Sequence, residues 1–381
     1  MSLLIHDLSW QDWEKVRERY DGWDIVDANG ENHPCIGCFS CWAKTPGECV
    51  LKDGFDRMGE RIHRAEKVTV ISRYTYGGFS GAVKNVFDRS LGYVLPQFEI
   101  SGNETHHKRR YEEDKEFTFI FYGQGLGDRE KASAERYVKA VCANVRSHVG
   151  KVEFFETEER YRDHSGSDEV RPSGIAVLNG SMRGAAGNSG KIAAKVTELM
   201  KSPAESIELR NYLKDLSGLV NRLKDFGTIV LALPLYVDGL PSQVIRLMEE
   251  FEKNYHGGSR KIYIVSNMGL YESSQLQNMF ESVRQWCDRM GFEYCGGLGV
   301  SAGELQGVLM QYLPFRIGPT AAIAQGAEKL AAAIDNGEKT EDIFAEPRMF
   351  PRKLFMLVAN RSWNVNARKN GISPRDLYRQ L

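Results

Sequence analysis

Four side chains in one short loop have the types and spacing to hold an anion. After the apolar run Ile175-Ala176-Val177-Leu178 the chain reads Asn179-Gly180-Ser181, continues as a small polar loop and opens into a helix at about Asn188. A buried strand that feeds glycines, hydroxyls and amides ahead of a helix start leaves several backbone N–H groups aimed at one point. Ser181, Arg183, Asn188 and Ser189 stand where they would complete a phosphate site. No Gly-Lys-Ser/Thr follows four free positions after a glycine, so the loop is not a Walker motif, and a single phosphate monoester suits it better than a nucleoside triphosphate. The plainer alternative is a βα turn whose helix is capped by Asn188 or Ser189.

A second group lies near the other end of the chain. Cys35, Cys38, Cys41 and Cys49 are spaced C-x2-C-x2-C-x7-C, four of the seven cysteines in one segment. Three thiols at steps of three can wrap one side of a compact inorganic core, and the turn Thr45-Pro46-Gly47 can deliver the fourth. A 4Fe-4S cluster is the sharp reading. Plain buried thiols and a structural zinc site stay open beside it, although zinc more often takes its cysteines as two separated pairs.

The elements that must position these groups alternate between strand and helix. The first stretch runs from the strand Leu3 to Asp7 through strands near Trp23 to Asp27, Val68 to Ser72, Phe117 to Tyr122 and Lys151 to Phe155. Helices lie at Trp10 to Tyr20, Gly54 to Arg64, Ala82 to Tyr93 and from Arg129 to about His148. Leu95 to Lys115 reads as irregular and polar; its basic cluster, His106 to Tyr111, is either a solvated loop or a grip for nicotinamide phosphates. Residues 158–173 are almost without apolar side chains and read as a linker. From Gly174 the pattern repeats: RYTYGGFSG after the third strand of the first stretch matches LPLYVDGLP at Leu233 to Pro241, with Tyr76 set against Tyr236. An internal duplication into parallel, doubly wound sheets follows. A long helix, Pro319 to Asp335, closes the second unit. The expected domains are 1–157, 174–340 and a helical tail at 341–381, whose apolar stripe of Leu354, Phe355, Leu357, Val358 and Trp363 is expected to cover the first unit.

Composition narrows the function. At 381 residues, 42% hydrophobic, 27% charged and with a formal net charge of -1, the chain reads as a globular protein with no electrostatic case for nucleic acid or an anionic membrane. The start, MSLLIHDLSW, has no basic n-region, and no apolar run approaches the roughly 20 residues of a membrane helix. A cytoplasmic location is expected.

With strand, phosphate loop and a Pro-x-Tyr loop after the third strand in place, the sequence resembles flavodoxin-like NAD(P)H-dependent FMN reductases, through NGSMRGAAGNSGK and LPLYVDGLP. The segment PCIGCFSCWAKTPGECVLKDG resembles the cysteine segment of iron-sulfur flavoproteins, a branch of the same superfamily. The resemblance spans about residues 1 to 335. It implies two flavodoxin-like five-stranded sheets of order 2-1-3-4-5 in tandem, bound FMN, NAD(P)H as co-substrate and an active site built across a dimer interface. Ser181, Arg183, Asn188 and Ser189 would hold the FMN phosphate. Pro234, Leu235, Tyr236, Val237, Asp238 and Gly239 would line the isoalloxazine, with Asn267 and Gly269 of the next loop beside them. The first unit has the cysteines and lacks the phosphate loop, and the second has the loop and lacks the thiols, so the implied dimer reads as fused and pruned to one working site, an intramolecular pseudo-dimer. Electrons would pass from nicotinamide to FMN and on to a small acceptor such as a flavin, quinone or nitro compound, or singly through the cluster to a ferredoxin-type carrier. Two other readings are a flavodoxin-like electron carrier without turnover and a cysteine half that serves only for dimerisation.

Overall fold

The computed structural model describes residues 1–157, 172–255 and 258–381, and these form two α/β units. Among the described residues the first unit comprises 1–157 and 356–381 and the second 172–355. The expected linker, 158–173, lies outside the described residues except for its last two positions.

The first unit runs β1 (Leu3–His6), α1 (Trp10–Val16), β2 (Asp24–Asp27), α2 (Ser40–Ala43), α3 (Met58–Arg64), β3 (Val68–Arg73), α4 (Gly81–Asp88), β4 (Val94–Ser101), β5 (Glu104–Arg109), β6 (Glu116–Gly123), α5 (Asp128–Asn144) and β7 (His148–Glu156). Its parallel sheet has the order β2-β1-β3-β6-β7, which is 2-1-3-4-5 when only sheet strands are counted. Phe117, Phe119 and Phe121 alternate along β6 and are all buried, so their rings share one face of the strand. Phe79 stacks at 5.8 Å from both Phe119 and Phe121, which ties the turn before α4 to the core.

The second unit runs β8 (Gly174–Asn179), α6 (Asn188–Leu199), β9 (Glu205–Glu208), α7 (Leu216–Leu223), β10 (Phe226–Pro234), α8 (Ser242–Asn254), β11 (Lys261–Asn267), α9 (Gln277–Met290), β12 (Glu293–Val300), α10 (Gly303–Tyr312), α11 (Ala321–Asn336) and β13 (Ile343–Ala345). Its sheet is parallel throughout and ordered β9-β8-β10-β11-β12-β13. One face is packed by Ile192 and Val196 of α6 and by Ile323, Ala327 and Leu330 of α11, against Val230, Val265 and Leu298 of the sheet.

Four expectations are corrected. The second sheet has six strands, because Ile343–Ala345 pairs with Leu298–Val300; the unit therefore extends beyond residue 340, and the tail opens on a strand. The stretch from Leu95 to Lys115 contains an antiparallel hairpin, β4 with β5, in place of irregular chain. Its polar composition and a burial pattern without period-2 alternation gave no strand signal around the turn Gly102-Asn103. The basic cluster is accordingly part of a hairpin and partly buried. His106 is buried, burial holds His107 down at about 4, and Arg110 is buried among backbone carbonyls. The helix expected from Gly54 begins at Met58, and the one expected to reach Tyr93 ends at Asp88.

The tail helix α12 (Arg352–Lys369) buries a narrower set than its stripe suggested. Phe355, Trp363 and Ala367 are buried, whereas Leu354, Leu357 and Val358 are exposed. In the first unit Trp363 meets Phe39 and Trp42 edge-on at 5.8 and 5.3 Å. Asn360 exchanges two hydrogen bonds with the backbone of Phe98, at 2.7 and 3.1 Å. Beyond the helix, Leu377 is fully buried and its carbonyl accepts from Arg110 at 2.9 Å. Among the described residues no helix is long and apolar enough to cross a membrane.

Candidate functional site

In an open parallel sheet, ligands bind outside the carboxyl ends of the strands where the order reverses. In the second unit that point lies between β8 and β10, which pair directly. The loop leaving β8 is stitched by its own polar groups. Asn179 Oδ1 accepts the Ser181 N–H at 3.0 Å, and Ser181 Oγ accepts the Arg183 N–H at 3.3 Å. Gln243 Nε2 holds the Gly180 carbonyl at 2.9 Å from beneath. Gly184 has φ 58°, and a Cβ there would run into the Arg210 guanidinium at 2.5 Å. A side chain there would be strained by that φ and would have to displace the end of Arg210.

Helix α6 then starts behind Gly187 with no side-chain cap on its first turn. Neither Asn188 nor Ser189 caps it, so the plain capping alternative is not what the loop does. Ser189 is buried and donates its hydroxyl to Asn267 Oδ1 at 2.5 Å, tying the start of α6 to the end of β11. Asn188 is half-buried. Arg183 is exposed, with Nη1 3.6 Å from Glu304 Oε1. The uncapped N–H groups and this arginine are the positive features of the loop.

The loop leaving β10 forms a tight turn. Tyr236 and Gly239 exchange both backbone hydrogen bonds, at 3.1 and 3.0 Å, and between them Val237 and Asp238 take φ 38° and 59°. Two successive positive φ angles define a type I′ turn, which glycine and asparagine normally supply. A β-branched residue there is an outlier costing on the order of 1–3 kcal/mol, a form of strain that clusters at ligand clamps. Pro234, Leu235, Tyr236 and Val237 are half-exposed at the sheet end, while Asp238 and Gly239 are buried. Gly269, in the next loop, is exposed and has open space where a side chain would project. The structure thus brings all twelve flavin-site candidates to one end of the sheet, on the loops after β8, β10 and β11 and the first turn of α6.

The first unit has the same turn with different residues. Thr75 and Gly78 exchange backbone bonds at 3.0 Å around Tyr76 and Gly77, both at positive φ. Thr75 therefore corresponds to Tyr236 and Tyr76 to Val237, one place off the tyrosine-on-tyrosine match read from sequence. At the β1/β3 reversal of the first unit, directly after β1, stands Asp7. Its carboxylate accepts the Arg73 N–H at 3.0 and 3.1 Å and the Tyr122 hydroxyl at 3.1 Å. Burial pushes Asp7 up to about 6, against the opposing pull of Ser80 and Arg73. A folded value above the unfolded 3.8 means that ionised Asp7 penalises the folded state. The penalty is full above about pH 6 and fades as the pH falls from 6 towards 4. Asp7→Asn is therefore expected to be more stable than wild type at pH 8, by up to about 3 kcal/mol, and equal to it near pH 4. Melting curves of both proteins across that range check it; parallel curves would refute it.

The cysteine segment surrounds a buried arginine. Arg89 donates from Nε to Cys49 Sγ at 3.2 Å, makes two bonds to Asp53 at 2.7 and 2.9 Å, and holds the carbonyls of His33 and Leu51. Burial, and then the charge of Asp88, pushes the Cys35 thiol up to about 12. Cys41 is pushed up by burial and next by Cys35, Cys49 and Cys38, so these sulfurs stand close enough to feel one another's charge. Cys38 is exposed and the other three are half-buried. Among the described residues no three His, Cys, Asp or Glu side chains stand close enough to share one metal ion, which bears on the zinc and the cluster readings alike. Thiols pushed up by burial fit the plain reading, with Arg89 and Arg110 as buried positive charge nearby.

Several of these residues escaped sequence reasoning. Asp7, Gln243, Glu304 and Arg210 act through partners far along the chain, and the only local signal was the shortness of Leu8-Ser9 after β1.

No protein-family model matches the chain. An iron-sulfur flavoprotein of Methanocaldococcus jannaschii is 33% identical over 72 residues, 18% of this chain and 36% of that protein. The chain thus spans about a third of the length of the curated relative it matches. An FMN-dependent NADH-azoreductase from Bacillus anthracis, solved in complex with FMN, aligns at 13% identity over 43% of this chain and 98% of that one, with a TM-score of 0.30. An NAD(P)H:quinone oxidoreductase from Methanothermobacter marburgensis aligns at 11% identity over 43% and 96%, with a TM-score of 0.32.

Proposed function

We propose that the second unit binds FMN and that the protein is an NAD(P)H-dependent FMN oxidoreductase. The observation that carries this reading is the pairing, across the β8/β10 reversal, of an uncapped α6 N-terminus with a strained I′ turn at Tyr236 to Gly239. Bound FMN would supply hydride acceptance and one- or two-electron release. Around it the chain's own residues orient and exclude. The N–H groups of α6, Ser181 and Arg183 take the phosphate, and Arg183 can leave its half-exposed pair with Glu304 at little cost. Pro234 to Val237 present a rigid edge to the ring system, and Asn267 fixes Ser189 so that the phosphate turn keeps its shape. No side chain at the site is placed as nucleophile or general base.

Cys35, Cys38, Cys41 and Cys49 would hold a 4Fe-4S cluster, supplying a one-electron exit to a ferredoxin-type carrier, while a flavin, quinone or nitro compound would take electrons directly. The shared strand order and the equivalent turns at Thr75–Gly78 and Tyr236–Gly239 support descent from a duplicated unit in which Asp7 closed the first site. A carrier without turnover is the second reading. Protein purified anaerobically should show flavin absorption, oxidise NADH or NADPH steadily with a quinone, and contain iron and acid-labile sulfide. Flavin without turnover would support the carrier, and absence of iron and sulfide after reconstitution would make the thiols structural.

A further inference from the structure

We infer that Gln306 is a further ligand of the molecule bound at the α6 N-terminus, and that this molecule carries a hydroxyl beside its phosphate, as the ribityl phosphate end of FMN does. The inference rests on the second unit's being the FMN site and names a second residue on α10, the helix whose Glu304 pairs with Arg183.

Residues 303, 306 and 307 lie at i, i+3 and i+4 and so share one face of α10. The two glycines show where that face looks. A Cβ at Gly303 would meet Asn267 Nδ2 at 2.6 Å, and one at Gly307 would collide with Asn188 Oδ1. Asn188 is the first residue of α6, and Asn267 holds Ser189 in the turn that follows it. Glycine at 307 lets α10 approach the start of α6, and glycine at 303 lets it approach the end of β11. Gln306 lies on the same face, is fully buried, and has no hydrogen-bond partner for Oε1 or Nε2 among the described residues.

A fully buried amide with both atoms unpaired is destabilising, and native structures rarely keep one without a use. Its helix approaches, through Gly307, a helix start whose first turn lacks a side-chain cap. The helix N–H groups and Nε2 all need an acceptor, whereas Oε1 needs a donor. Phosphate oxygens answer the first and a neighbouring hydroxyl answers the second. Inorganic phosphate should therefore recover part of the interaction, and FMN all of it.

The test uses the full chain stripped of flavin. Gln306→Leu keeps the side chain's bulk and removes the unpaired polar atoms. The flavin-free variant is expected to melt above wild type, to bind FMN at least tenfold more weakly by fluorescence quenching, and to lose most of the rise in melting temperature that millimolar phosphate gives wild type. Gln306→Met should behave in the same way. A flavin-free variant that melts below wild type or fails to fold shows the amide to be paired and overturns the inference. So does a variant that binds FMN within twofold of a wild type that binds it. If wild type is neither quenched by FMN nor stabilised by phosphate, the FMN reading falls and the inference falls with it.

Discussion

Replacing Ser181 and Arg183 together by alanine is expected to weaken FMN binding by a hundredfold or more, enough for the protein to purify without flavin. Each charge-assisted hydrogen bond to the phosphate contributes about 1.5–3 kcal/mol, so two lost contacts cost about 3–6 kcal/mol, or roughly 10² to 10⁴ in Kd. The fold should tolerate the change. Arg183 is exposed and its pair with Glu304 is of the half-exposed kind that contributes about 0–1 kcal/mol. Ser181 loses one bond, from its Oγ to the Arg183 N–H, inside a loop still held by Asn179 and Gln243. Titration of flavin-free protein followed by fluorescence quenching measures the effect, with a melting curve as control. A double variant that retains stoichiometric FMN would place the phosphate elsewhere.

How much of this was legible in the sequence depends on how far each residue's partners lie along the chain. The β8 strand, the loop after it and the start of α6 are contiguous, and the run of apolar residues followed by small polar ones announced them. The turn at Tyr236 to Gly239 was legible as a turn but misaligned by one residue, because tyrosine was matched to tyrosine. What the backbone repeats is the sign of φ, and by that measure Val237 answers Tyr76. Neither residue type favours positive φ, so propensity could not supply the register. Asp7 was invisible for the opposite reason: its role comes from Arg73 and Tyr122, brought to it only by pairing of β1 with β3 and of β3 with β6. The same holds for β13, whose three residues read as tail until pairing with β12 gives them a sheet.

The tail gives the other large effect, and it separates the stripe read from sequence from the contacts the fold makes. Helical periodicity weighted Leu354, Phe355, Leu357, Val358 and Trp363 alike, yet Leu357 is 55% exposed and Trp363 7%. In the first unit Trp363 lies edge-on to Trp42, whose indole N–H is held by the carbonyls of Leu91 and Val94, each at 2.9 Å. It also lies edge-on to Phe39, the residue between Cys38 and the short helix α2 that carries Cys41. Trp363→Ala would leave an aromatic-lined cavity beside the cysteine segment and is expected to cost about 3–5 kcal/mol. Leu357→Ala should stay within about 0.5 kcal/mol. Because the two units need not melt together, the cost is best read by hydrogen exchange in peptides covering Cys35 to Cys49 and β4 to β5, where Trp363→Ala should speed exchange and Leu357→Ala should not. Alkylation of Cys41 should accelerate in parallel, since loss of the tryptophan loosens the packing around Trp42 and Phe39. Equal behaviour of the two variants would mean that the tail covers the first unit through its whole stripe, as the periodicity alone suggested, and that the aromatic contact at Trp363 is incidental.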